Sequence, residues 1–377
     1  MGTRRLGEAV VLAAVLCAGA PAAASVQVDP VARLSLEGGY DSNVLYDGKG
    51  SGVGHIAPDL GLQLRDHTWS FGIVGGGDLL AYPSPIGSQA AQTVWNERGT
   101  LALHMRPGPR FRFDVDAAAI YANDPVGLAR LGIFGPAALT GGFVERAGLR
   151  GAWRLDHDWT AAGTFTNYVV RFGDGTGSAS YTPGLELAKR VGHLLELGGI
   201  YRFDYFQSLT VGLGDATANE LMGLMRYRWA RHLALEVQGG GALWNPAKGA
   251  SQVIPQALAQ LLGANRVGDV RVTLKHGVGL GIYGTPSLFD TVEGAATWKV
   301  THKVQLHVDG GVWRSGDIPW GANASTGYGV EGELAYFLER SVKVALVGSR
   351  FAQLGTGNSL YDRNIFGLRV GWELPHR

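Results

Sequence analysis

The sequence predicts an all-β protein, a transmembrane up-and-down antiparallel β-barrel of about 18 strands. Three observations predict it. Apolar and polar residues alternate strictly over many short stretches, the period-2 pattern of strands with two unlike faces. Tight polar connections alternate with longer, more varied ones, as outer-membrane barrels divide turns from loops. Glycine is abundant, 58 of 377 residues, and lies inside strand-like stretches as well as in turns.

The chain opens on a targeting segment, residues 1–24. Arg4 and Arg5 give the positive region, Ala9–Ala20 a short apolar run, and Ala22-Ala23-Ala24 the small residues of a cleavage site. Cys17, the single cysteine, leaves with it, so residues 25–377 form a barrel without disulfide or thiol chemistry. That mature part has no apolar run long enough for a membrane helix. Lys+Arg 33 against Asp+Glu 32 gives no charge bias toward nucleic acid.

The hairpin Trp95–Tyr121 sets the pattern. Phe111, Phe113, Val115, Ala117, Ala119 and Tyr121 fall on one face, Arg112, Asp114 and Asp116 on the other. The alternation recurs: Leu195, Leu197, Tyr201, Phe203 and Tyr205 oppose Glu196, Arg202 and Asp204. Leu233, Leu235, Val237 and Leu243 oppose Glu236 and Gln238. Val304, Leu306, Val308 and Val312 oppose His307 and Asp309. Phe366, Leu368, Val370 and Trp372 oppose Arg363 and Arg369. Trp69, Trp95, Trp159, Trp229 and Trp298 stand at strand margins, where an aromatic girdle belongs.

Tight turns are expected at 65–67, 106–110, 156–158, 191–193, 230–232, 263–268, 301–303 and 339–341. Eight such turns, with one strand before the first and one after the last, give 18 strands; if Gln252–Leu262 is an amphipathic helix the count is 16. Loops are expected at 47–52, 82–89, 123–140, 173–178, 245–251, 315–326 and 355–359. The longest, Asn123–Thr140, carries Leu128, Leu131, Ile133 and Phe134, and either packs inside the lumen or forms an extracellular contact surface.

Chemistry-bearing motifs are sparse. Gly279–Gly284 has dinucleotide-loop spacing but lies in a strand and runs into Thr285-Pro286-Ser287, read as a loop rather than a helix. The ten histidines show no zinc-binding spacing, and His67, His157, His193, His232 and His302 sit in or beside turns. No nucleophile elbow accompanies Ser178 and Ser180. The chain reads as a non-enzyme without cofactor or metal.

The pore-lining candidates are the inward charges. Arg146, Arg150 and Arg154 share one face of a strand, and Arg226 and Arg228 another. Arg112, Asp114, Asp116, Glu196, Arg202, Asp204, Glu236 and Asp309 join them. They either pair across strands as a solvated wall or form an arginine track selecting anionic or hydroxyl-rich solutes.

The first strand ends in Gly39-Tyr40-Asp41-Ser42-Asn43-Val44-Leu45, which resembles the Y-D-S-N-V signature of the β-barrel porin type 2 group. That resemblance implies an outer-membrane barrel for export of a polysaccharide of the exopolysaccharide or capsule type. With no plug domain before the barrel and no long periplasmic extension in the sequence, any periplasmic export partner is expected to be a separate protein. The alternative is a general diffusion porin for small hydrophilic solutes. The last strand, Gly367-x-x-Val370-x-Trp372, resembles the insertion signal read by the barrel-assembly machinery, although the chain ends Leu374-Pro375-His376-Arg377. The remaining partners are outer-membrane lipids.

Overall fold

The computed structural model describes residues 26–43, 50–83, 92–122, 141–210, 214–280, 286–316, 318, 324–354 and 360–374. The expected targeting segment and the Asn123–Thr140 loop lie outside the described residues, as do positions 281–284 of the glycine motif. The described chain is 18 strands: β1 (Gln27–Asp41), β2 (Ser51–Arg65), β3 (Trp69–Tyr82), β4 (Gln92–Gly108), β5 (Phe111–Ala122), β6 (Gly142–Arg154), β7 (Trp159–Phe172), β8 (Gly177–Arg190), β9 (Leu195–Ser208), β10 (Ala216–Ala230), β11 (Leu233–Asn245), β12 (Gln252–Ala264), β13 (Gly268–Leu280), β14 (Pro286–Lys299), β15 (Val304–Gly316), β16 (Ser325–Phe337), β17 (Val342–Leu354) and β18 (Leu360–Glu373).

Every strand pairs antiparallel with its chain neighbours, and β18 returns to β1 from Arg33↔Glu373 to Asp41↔Ile365. The sheet is therefore closed, which leaves no edge and satisfies the backbone internally. Residues 252–262 are strand, which settles the count at 18 rather than 16. The connection 209–215 has no counterpart among the expected loops, and the one expected at Thr285–Ser287 falls at 281–285. Pro286 and Ser287 begin β14 rather than a loop, and the loop before β8 ends at Thr176.

Three of the eight tight turns fold by the same local side-chain chemistry. Asp156 accepts hydrogen bonds from the backbone N–H groups of Asp158 at 2.8 Å and Trp159 at 2.7 Å. Asn265 does the same for Val267 and Gly268, and Thr301 for Lys303 and Val304. A short polar side chain that captures the N–H groups two and three residues on reverses the chain without help from packing. Those bonds hold the Asp156 carboxyl below its ordinary range.

Alternation assigns the two faces. Leu60 and Leu221 are each 69% exposed on the outside of the barrel, and Leu185, Leu346, Phe366 and Leu368 stand out with them. Aromatic rings edge this apolar surface. Near the turns, Phe111 packs edge-on to Trp153 with centroids 6.4 Å apart, and Tyr227 to Trp229 at 5.3 Å. Lys189 lays its ammonium over Trp159 at 5.4 Å, the posture of a lysine reaching for the interface. From Phe111 to Tyr121, ten residues at about 3.4 Å each and a tilt of about 40° span about 26 Å along the axis. That matches the apolar band of a transmembrane barrel, about 25 Å tall. A closed barrel with this girdled outer surface is an outer-membrane protein.

Candidate functional site

The lumen wall is built from the alternate residues of all 18 strands, and its charges collect at mid-height in two belts. The first runs over β6 to β11. Arg150 forks onto Glu186 with two bonds of 3.0 Å. Arg226 is its hub: Nη1 donates to Glu186 and to Glu196, each at 2.7 Å, and Nε to Glu236 at 2.6 Å. Gln238 donates to Glu236 at 2.6 Å and accepts from Arg202 at 3.0 Å, while Arg202 also lies 3.7 Å from Glu220. Asp204 accepts from Thr182 beside them. Planar guanidinium forks suit such carboxylate pairs, and their charge-assisted bonds fix the wall's register.

The second belt crosses the barrel closure, from β16 to β4. Lys343 and Arg369 both reach Glu333, the latter at 2.8 Å, and Arg369 bonds Glu37 at 2.9 Å. His55 sits between Glu37 at 3.7 Å and Asp78 at 2.8 Å. Arg98 bonds both Asp78 and, at 2.8 Å, Asp59. Most of this belt is absent from the sequence-derived candidates. Arg369 is legible as inward because it opposes Leu368 and Val370, but Asp59, Asp78 and Arg98 lie where Pro58 and Gly75–Gly77 blur the alternation.

The candidates divide into paired and free. Arg112 bonds Asp114 at 2.7 Å, Asp114 also meets His104 at 2.9 Å, and Asp309 meets His307 at 3.2 Å. Asp116, Arg146, Arg154 and Arg228 face the lumen exposed and make no ion pair among the described residues. Most inward charges pair across strands, and a remainder stays open to the lumen. Open bases stand on β6, β10, β13 and β14, at Arg146, Arg154, Arg228, Arg271, Lys275 and Lys299, while Asp116, Glu293, Asp309 and Glu331 face the lumen from β5, β14, β15 and β16. The lumen wall thus presents charges of both signs.

The signature residues Tyr40–Asn43 lie at the closure. Arg363 is fully buried and grips Asp41, itself 1% exposed, through Nε at 3.0 Å and through Nη2. Ser42 N–H donates to Asn364 O at 2.9 Å, and Asn364 N–H returns to Ser42 Oγ at 2.8 Å. Asn43 Nδ2 donates to Asp362 O at 2.6 Å. Tyr40 points outward, 53% exposed. These side chains join the two ends of the sheet. Among the described residues no three His, Cys, Asp or Glu side chains are grouped to hold a metal ion.

No protein-family model matches the sequence, and no curated protein matches it. Solved structures with a similar fold include a BenF-like porin from Pseudomonas fluorescens Pf-5, 9% identical, covering 93% of this chain and 98% of that one, TM-score 0.46. OccAB4 of Acinetobacter baumannii is 10% identical over 92% and 98%, TM-score 0.45. The outer-membrane protein opdK of Pseudomonas aeruginosa is 12% identical over 92% and 99%, TM-score 0.44.

Proposed function

We propose that this barrel is a passive outer-membrane channel for small hydrophilic solutes, those carrying both signs of charge above all. The observation that carries the reading is a lumen wall that keeps open charges of both signs. Arg146, Arg154, Arg228, Arg271 and Lys275 face the lumen together with Asp116, Glu293 and Glu331. Charges of both signs along a water-filled passage favour a dipolar solute and disfavour a long apolar one. A barrel of 18 strands has room for an aqueous path.

Polysaccharide export rests on the short resemblance at Gly39–Leu45. In the structure Asp41, Ser42 and Asn43 are engaged in closing the sheet and Tyr40 faces outward, so none of the four is left to handle a polymer. That favours the small-solute reading. Liposome swelling with amino acids, disaccharides and dextrans tests it. Entry of amino acids with exclusion of dextran is expected; entry of dextran at a comparable rate would instead support the exporter. In planar bilayers, Asp309→Asn with Glu331→Gln should move the reversal potential toward anion preference, and Arg146→Gln with Arg228→Gln toward cation preference.

A further inference from the structure

One stretch of wall departs from the ring. The ladder between β12 and β13 stops at Ala257↔His276, although β12 continues to Gln252 and β13 to Leu280. On its other side β13 stays paired with β14 as far as Leu280↔Pro286, and β14 with β15 as far as Leu288↔Gly316. The loop-side ends of β13 and β14 have therefore parted from β12 while remaining in the sheet. They turn inward: Cα atoms of β13 come within 8 Å of β8, five strands away. Along the wall five strand spacings amount to about 24 Å, so β13 reaches β8 only by crossing lumen space.

The packing identifies which face has moved. Lower down, Leu274 and Val292 point to the lipid side, 46% and 43% exposed. Val278 and Leu288 share their parity, yet both are buried, in one cluster with Phe206, Ala218, Trp244 and Ile254 of the inner wall. The lipid face of the hairpin has become, at its end, a face applied to the inside of β9 to β12. Ile318, from the connection after β15, packs against the same cluster. At the split, the Gln256 amide is 5% exposed and its Nε2 has no hydrogen-bond partner. Gly277 lies against its Oε1, an approach that a side chain would obstruct.

We propose that the ends of β13 and β14 form a gate with two seats. In the seat seen here they narrow the lumen. In the other, β13 continues its ladder with β12, placing Gly277 opposite Gln256, Val278 opposite Pro255 and Leu280 opposite Val253. Both seats shelter Val278 and Leu288, against the inner wall in one and against lipid in the other. The free energy between them is therefore set by smaller terms. Zipping satisfies the backbone groups along the β12 edge but uncovers Phe206, Trp244 and Ile254 to water. Such near-balance between two discrete packings is what a switch requires. The proposal rests on the channel reading for its effect on flow, and on geometry alone for the movement.

A disulfide reads the movement whatever the channel carries. Residues opposite each other in a zipped antiparallel pair have Cβ atoms about 4.5–5.5 Å apart, within reach of a disulfide after small adjustment. Pro255→Cys with Val278→Cys, in the full chain in outer-membrane vesicles, should cross-link slowly under mild oxidant and reopen with reductant. Adding Phe206→Ser weakens only the inner seat and should speed cross-linking about tenfold. Val253→Cys with Leu280→Cys repeats the test if the proline variant fails to insert. Ala257→Cys with His276→Cys, already paired, is the positive control. No cross-link at either test pair, with or without Phe206→Ser, while the control closes fully, would overturn the gate. In planar bilayers the oxidised protein should conduct several-fold more than the reduced one. Equal and measurable conductance in the two forms would show movement without gating and overturn the proposal as well. A protein that conducts in neither form, yet cross-links as expected, would sink the channel reading and leave the movement standing.

Discussion

The loop-side and turn-side halves of the lumen are made from the same 18 strands and differ in kind. Near the loops the inward side chains are buried: Tyr82, Phe206, Trp244, Phe351 and the Arg363–Asp41 pair. Near the turns they are Arg112, Arg154 and Arg228, charged and open to water. Between them lie the two charge belts, partly buried and mostly paired. The gradient shows that barrel closure alone does not decide whether a lumen is a core or a channel. At Phe206 and Trp244 the burial comes from β13 and β14 brought inward, whereas the turn side has only short reversals that cannot reach the axis.

The largest expected effect breaks the packed half. Arg363→Ala leaves the Asp41 carboxylate buried without its guanidinium, which costs about 3–5 kcal/mol where one partner of a buried pair is removed. Urea unfolding in lipid bilayers should show it. Replacing both residues with apolar ones of similar volume should restore much of the loss.

The second tests the outer face against the inner. Leu221→Arg, near the middle of β10 on the outside, should cost about 2–4 kcal/mol of stability in the bilayer. The same substitution at the inward, exposed Asp116 should leave insertion and unfolding unchanged. Equal cost at both positions would refute the assigned faces.

The third compares a belt arginine with a free one. Arg226→Gln strands Glu196, leaves Glu236 with Gln238 alone, and should cost about 1–3 kcal/mol, the desolvation penalty of a group left without its partner. Arg146→Gln should change stability by no more than about 0.5 kcal/mol. Both should reduce anion permeability, and only the first should lower the unfolding midpoint.

The smallest effect lies outside the membrane. The Asp156 carboxyl titrates below its ordinary value of 3.8 because the Trp159 and Asp158 N–H groups stabilise its anion. A depressed folded-state pKa adds stability above the unfolded-state value, lost as pH falls through the folded one. Asp156→Ala should therefore be less stable than the parent at pH 7, with the difference closing at pH values below 3.8. A difference that persisted unchanged at the lowest pH would rule out the charge as its origin.

Much of this architecture is legible along the chain, because its determinants are local. Alternation puts Val115 outside and Asp114 inside with no knowledge of the partner strand. Asp156, Asn265 and Thr301 mark turns because each captures N–H groups within three residues. The eight tight turns together count the strands. Where the pattern was ambiguous, at Gln252–Leu262, the run of Leu and Ala suited helix and strand alike. Only pairing with β11 decided it.

What tertiary structure alone decided is which inward residues meet. Glu37 bonds Arg369 across 332 positions, and Asp41 bonds Arg363 across 322, because the sheet closes on itself. No periodicity within a strand contains that register. The inward turn of β13 is of the same kind. By alternation Val278 belongs to the lipid face with Leu274, and local sequence has no term for the contact with Phe206 and Trp244 that buries it. Period fixes on which side of a strand a residue stands; what lies on that side depends on where the whole strand has gone.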